Sequence, residues 1–372
     1  MTASIQSDVS FNSCLKGRAY LGAGIALLAL VVLSGCATTP PAPPAQIVSA
    51  ARETAAVNAA GDAADDPAIW IAPEAEQSLV IATQKQGGLY VFDLAGAIVQ
   101  EAPGGMPNNV DLREGFAWAD GAGPLVGASD RSDNSIVLWK FDPAARKLDP
   151  APRARIATGF AEVYGFCLGR AGDGWIAVAT STLGDVGVWR ISLDAQGKPQ
   201  GVRVARFNLG PAVDASITEG CVVDDQAGVY YLAQEMVGVW KVPFGDETGE
   251  KRKLIAKVGD GRLIADVEGL TIYPTANGGG YLIASVQGWS QYAVYDRGGD
   301  NAYRGSFSIG ASTDGTADAV SGTDGIDVTA APLGPNYPAG MFVAQDDENT
   351  DPGALQNFKY VSWAEIAAKL GL

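Results

Sequence analysis

The sequence predicts an all-β protein, a six-bladed β-propeller with four-stranded blades. Three observations carry this. A unit of alternating apolar strands recurs six times at a spacing of roughly 44–56 residues, the length of one propeller blade. The strands are rich in Val, Ile, Tyr and Trp and are punctuated by Gly, Asp, Asn and Pro turns. Helix signals are rare. A long β-sandwich is the competing architecture, and six similar units argue against it.

The first 36 residues stand outside this pattern. Lys16 and Arg18 precede the apolar run "AYLGAGIALLALVVLSG", which ends in "LSGC" at 33–36. This is a secretory leader with a lipobox, so residues 1–36 are read as a lipoprotein signal and Cys36 as the lipidated residue. A simple transmembrane anchor is the bland alternative, and the run is short for one. Two or more acyl chains would anchor the protein firmly to a membrane. Residues 37–50, including "ATTPPAPPAQ", read as a Pro-rich tether. Residues 51–372 are the propeller. Its units centre on "SLVIATQKQGGLYVFDL", "PLVGASDRSDNSIVLWKF", "GWIAVATSTLGDVGVWRISL", "GVYYLAQEMVGVWKVPF", "GYLIASVQGWSQYAVYDR" and "AGMFVAQDDEN…NFKYVSW". The chain closes on one helix, "SWAEIAAKLG", with Ser362 and Glu365 at capping-box spacing and Gly371 as its stop.

Composition narrows the chemistry. Histidine is absent, which excludes Ser-His-Asp catalysis, imidazole-ligated zinc and a phosphohistidine intermediate. The formal charge is −16, and loss of Asp8, Lys16 and Arg18 with the leader makes it one unit more negative. Nucleic acid is therefore not an expected partner. Of four cysteines, Cys14 and Cys36 belong to the leader. Cys167 and Cys221 follow blade-start glycines by two residues and one residue. On equivalent strands these positions face opposite sides, so two free buried thiols are expected.

The unit openings carry the acidic residues: "DDPAIWI", "NNVDLRE", "VYGFCLG", "TEGCVVD", "DVEGLTIYP" and "TDGIDVT". First strands of propeller blades line the central channel. Asp65, Asp111, Glu219, Asp266, Glu268, Asp324 and Asp327 should therefore meet at one mouth. Such a ring repels itself unless cations intervene, and calcium tolerates irregular oxygen coordination. The bland reading is a set of separately solvated turn carboxylates.

These residues also carry a family resemblance. "GDAADDPAIW", "NNVDLR", "ASDRS", "EVYGF", "TEG", "DVEGLTIY", "ASVQG", "TDGIDV" and "FVAQDDEN" occur in order from about Glu53 to Leu372. In them the chain resembles the β-propeller phytases, calcium-dependent alkaline enzymes. The resemblance implies several bound calcium ions, structural and catalytic. It also implies stepwise removal of phosphate from myo-inositol hexakisphosphate (phytate) by metal-activated water, with phytate or calcium-phytate as partner and a monomeric enzyme. It assigns Asp65, Glu219, Asp266 and Glu268 to the ions at the mouth, with Glu235 a further acidic contact. Lys85, Arg131 and Tyr164 become phosphate contacts and Gln287 a neutral donor. Asp66, Asn108 and Asp111 would hold one structural ion. Glu53, Asp314, Asp346 and Asn349 would hold another that staples the N-terminal segment to the last blade.

The sequence departs from the family in blade 3. A Lys-Glu pair is usual there, and this chain has Thr182 and Leu183, with Asp185 the nearest replacement carboxylate. Loss of one charge-assisted contact weakens binding by about 1.5–3 kcal/mol. The turn at 313–325 is also longer. Two other readings stand beside the hydrolase: a non-catalytic, lipid-anchored binder of inositol phosphate or calcium, and a calcium-dependent lactonase-type propeller.

Overall fold

The computed structural model describes residues 41–210, 216–350 and 355–372. The leader, with Cys14 and Cys36, lies outside the described residues. No helix among the described residues is long and apolar enough to cross a membrane.

Six antiparallel sheets follow one another in chain order. Their innermost strands are Ala64–Trp70, Pro107–Trp118, Val163–Ala171, Thr218–Asp224, Val267–Pro274 and Ile326–Thr329. Contacts run from each innermost strand to the next and from the sixth back to the first, which closes the ring. Blades 1, 3 and 4 each take four consecutive strands from the chain, and in blade 2 two short segments share the outer position. Blade 6 takes three strands from the C-terminal part, and Arg52–Glu53 supplies the fourth. N- and C-terminal segments are thus joined in one sheet. Gln46–Ser49 adds a fifth, parallel strand to blade 5 along Tyr303–Gly310. Gln46–Ser49, expected to belong to the tether, instead form a strand, because they find an open sheet edge.

Alternation of apolar residues gives each blade two faces to bury. Six apolar clusters result, one at each seam between neighbouring blades. Trp70 of blade 1 packs on Phe141 of blade 2 at 4.7 Å between ring centres. The C-terminal helix, Trp363–Leu370, buries Trp363 and Ile366, and Gly371 ends it in the left-handed region at φ 67°. No capping box forms. Glu365 instead accepts the backbone N–H of Ser49 at 3.0 Å, tying the helix to the added strand.

The structure corrects the cysteine expectation. Cys167 and Cys221 form a disulfide, with Cα atoms 5.4 Å apart. Strand parity assigns faces within one sheet, whereas these cysteines lie on two neighbouring sheets. Gly165 and Gly169, on the same face as Cys167, pack against Glu219 and Val223 of blade 4. Val223 shares the face of Cys221. Opposite faces on adjacent blades look at each other across the seam. Closing a loop of sequence separation 54 constrains the unfolded chain by about 4 kcal/mol in the loop-entropy account.

Candidate metal centre and phosphate site

Two register positions build the site. The first lies on the innermost strands. In blades 1 to 5 a bulge follows the first residue of this strand. The residue just after the bulge begins is Asp65, Asn108, Tyr164, Glu219 or Glu268. In blade 6 the equivalent is Asp324. Gly165, Gly220 and Gly269 follow three of these residues, and a Cβ at each would strike the backbone carbonyl of Glu219, Glu268 or Asp324 on the next blade. Glycine here lets neighbouring backbones close in and brings four carboxylates, one amide and one phenol to a single level.

The second register is the turn after each second strand, which antiparallel pairing returns to the same end of the channel. Lys85, Arg131, Thr182, Glu235 and Gln287 occupy it. Each donates its backbone N–H to the residue two positions before the ring residue of its own blade: Ala63, Met106, Glu162, Ile217 and Asp266, at 2.7–3.3 Å. The turn side chains are thereby held over the ring.

Glu219, Glu235 and Glu268 are buried, and one oxygen from each lies within 4.8 Å of the others. Asn108 donates to Glu219 Oε1 at 2.6 Å. Gln287 donates to Asp324 Oδ1. The Lys85 ammonium lies 2.9 Å from Asp62, 3.4 Å from Asp324 and 3.7 Å from Asp65. Lys85 is itself buried. Arg131 sits over the Tyr164 ring, 5.9 Å from its centre. Asp266 is half-buried at the rim, two residues before Glu268.

The electrostatics record crowding. Burial first, then neighbouring carboxylates, raise Asp65 and Glu268 well above the usual carboxylate range. The same causes push Glu235 up to about 8. Burial pushes Asp324 to about 7, with Lys85 opposing and Glu219 adding to the rise. Burial also raises Asp266. The Glu219 charge and then burial raise the Tyr164 phenol, so it stays protonated. Burial lowers Lys85, but Asp65, Glu219 and Asp324 more than offset it and keep it charged.

Several sequence expectations separate here. Asp111 and Asp327 are not in the mouth ring. Each lies three residues further along its strand, about 10 Å deeper at 3.3 Å per residue. There they line a channel cavity of about 340 Å³ with Asp66 and Arg113. Asp66 accepts the Val110 N–H and Asp111 pairs with Arg113 at 2.7 Å. Asn108 instead belongs to the mouth, so the expected Asp66, Asn108 and Asp111 set is divided between two levels. Glu53 and Asp346 do come together, but with Asp318 rather than Asp314. All three surround the Lys359 ammonium, at 2.8, 2.8 and 2.6 Å. Asp314 is exposed and bonds Thr316 within its own turn. Asn349 is buried and bonds the Leu355 carbonyl. Asp185 turns to Arg206 on the outer strand at 3.3 Å. The carboxylate beside Thr182 is Glu162, at 3.2 Å. Sequence reading passed over Asp62, Glu162, Asp318 and Lys359; Asp62 and Glu162 lie inside motifs already singled out.

The donors at the mouth are oxygens throughout. Both Asp65 carboxylate oxygens, Glu268 Oε2 and Asn108 Oδ1 are buried without a hydrogen-bond donor. Such groups fit a hard cation. The fold and site together define a propeller with an acidic, metal-competent mouth flanked by two cations. A sequence model of the Phytase family matches residues 20–372. The chain is 42% identical over 335 residues to a 3-phytase of Bacillus subtilis (strain 168), covering 87% of this chain and 85% of that protein. The chain belongs to the Phytase family. Among solved structures it resembles Chaetomium thermophilum Sqt1 bound to the N-terminus of a ribosomal protein, at TM-score 0.44 and 13% identity over 76% of this chain and 69% of that one.

Proposed function

We propose that this enzyme releases phosphate from phytate in a calcium-dependent reaction at the propeller mouth. The observation that carries the reading is the buried Glu219, Glu235 and Glu268 cluster, with unpartnered oxygens around it and Arg131 and Lys85 beside it. Asp65, Glu219, Glu235, Asp266, Glu268 and Asp324 would hold the ions. Calcium bound there supplies positive charge that offsets the carboxylates and polarises a phosphoryl group and water.

The protein's own residues have separate tasks. Asn108 fixes the Glu219 carboxylate. Arg131 offers a planar, permanently charged fork to a phosphate. Tyr164, kept protonated, donates from the ring. Lys85 neutralises Asp65 and Asp324 on the blade 1 side, and Gln287 orients Asp324. The buried cluster excludes bulk water, which strengthens each of these contacts. Blade 3 offers no cation at the turn register, so the cationic contact to substrate comes from Arg131 of blade 2.

The test is phosphate release from phytate with calcium or with chelator near neutral pH. Release only with calcium is the expected result. A protein that melts higher with calcium yet releases nothing would instead be a binder of inositol phosphate. Opening of a lactone substrate would identify the lactonase reading.

The leader motif supports export as a lipoprotein facing the periplasm or outer membrane. A buried disulfide accords with an oxidising compartment. Cys36→Ala is expected to release the protein from the membrane fraction; retention there would contradict lipid anchoring.

A further inference from the structure

We propose that the Cys167–Cys221 disulfide is a positioning clasp for the metal centre, holding Tyr164 and Glu219 in the ring across the seam between blades 3 and 4. The inference rests on the reading of the ring as a metal site.

Register carries the argument. Three residues beyond the ring position, four blades reach across to the next one. Asp111 of blade 2 accepts the Leu168 N–H of blade 3 at 2.8 Å. Thr271 of blade 5 donates to Asp327 of blade 6 at 3.0 Å. Asp327 accepts the Ile69 N–H of blade 1 at 2.8 Å. Blade 3 has Cys167 at this position, and its reach is a covalent bond to Cys221. The disulfide thus takes the place of a polar clasp.

Its location ties it to the site. Cys167 is three residues from Tyr164, and Cys221 is two from Glu219. Between them Gly165 packs directly on the Glu219 carbonyl. Glu219 belongs to the three-carboxylate cluster. Any widening of this seam moves Tyr164 away from Glu219 and loosens the backbone packing that positions Glu219 in the cluster. Both cysteines are buried, so the clasp is shielded from exchange with solution thiols.

The test uses the Cys167→Ala/Cys221→Ala double variant, calorimetric calcium titration and phytate kinetics. Glu219→Gln identifies the calcium-binding step that belongs to the ring. Arg297→Met is the control: it breaks the buried Arg297–Asp224 pair at the far end of the channel, which joins blades 4 and 5 at 2.6 Å. The double cysteine variant should weaken the ring step by about tenfold or more, the range for loss of a group that orients a metal ligand. KM should rise more than kcat falls, and Arg297→Met should leave both near the wild-type values. If the alanine pair does not fold, the near-isosteric double serine variant replaces it. Non-reducing peptide mapping should recover Cys167 and Cys221 in one linked fragment. Unlinked cysteines overturn the proposal. So does a ring step unchanged in the double variant, or an equal loss in Arg297→Met at a matched fall in melting temperature. If Glu219→Gln removes no calcium step from an otherwise wild-type chain, the metal reading of the ring fails instead, a result distinct from failure of the clasp.

Discussion

Asn108 shows what one side chain can decide at this mouth. It is the amide in a ring otherwise made of four carboxylates and a phenol, and its donated hydrogen bond fixes the Glu219 carboxylate. Removing it leaves Glu219 free to rotate. Asn108→Ala should therefore cost about 10–100-fold in calcium affinity with little change in fold, measured by calorimetric titration. An unchanged affinity would mean that Glu219 is oriented by something else. Arg131 and Lys85 are both cationic, yet their roles differ. Lys85 is enclosed by Asp62, Asp65 and Asp324, whereas Arg131 retains a buried Nε without a partner. Arg131→Ala should raise KM for phytate by about tenfold or more, the cost of about 1.5–3 kcal/mol for a charge-assisted contact. Lys359 is the structural counterpart. Three carboxylates converge on one fully buried ammonium. Lys359→Met leaves them facing each other and should cost about 3–5 kcal/mol in denaturant unfolding.

At the level of the element, the sequence made the blades legible because each strand alternates and each turn carries its own punctuation. The site was legible to the extent that it sits at one register of the innermost strand. Asp65, Glu219, Glu268 and Asp324 share that register. Asp111 and Asp327 belong to the same motifs but stand three residues further along their strands, a level that a motif alone does not distinguish. Cys167 and Cys221 were misread for a related reason: face parity within a strand says nothing until the neighbouring blade is set beside it. Asp318 was missed in favour of Asp314 because the 313–325 turn has no period to count by. The glycine positions turn this lesson into a test. Gly220→Ala would push a methyl group into the Glu268 carbonyl. Overpacking of this kind costs about 1–3 kcal/mol. Because Glu268 is itself in the cluster, calcium affinity should fall with stability, whereas alanine at the unobstructed Gly104 or Gly172 should change stability alone. Thermal melts and calcium titrations of the same variants distinguish the two.

For the whole molecule, the mouth sets charge against folding. A closed ring of blades brings carboxylates together that an unfolded chain keeps apart. In the metal-free folded state Glu235 titrates near 8 and Asp324 near 7, and Asp65 and Glu268 are also raised. In the unfolded chain the same groups titrate near 4 to 4.5. Between these limits the folded protein holds more protons than the unfolded one. Stability of the chelated protein must then fall as pH rises from about 5 to about 8. The groups with lowered values, such as Asp130 and Asp224, act in the opposite sense. They lose their contribution only in acid, below this window. Calcium held at the mouth as proposed would reverse the trend, because it would bind the deprotonated carboxylates, and its affinity should rise over the same interval. Ligand bound to the folded state adds stability by mass action. The melting-temperature gap between calcium and chelator should therefore widen steadily from about pH 5 to pH 8. It should narrow in Glu235→Gln, which removes one of the titrating charges. Differential scanning fluorimetry across that range decides the matter. A gap independent of pH, or a chelated protein that grows more stable as pH rises, would show that the mouth carboxylates are not the groups that couple metal to fold.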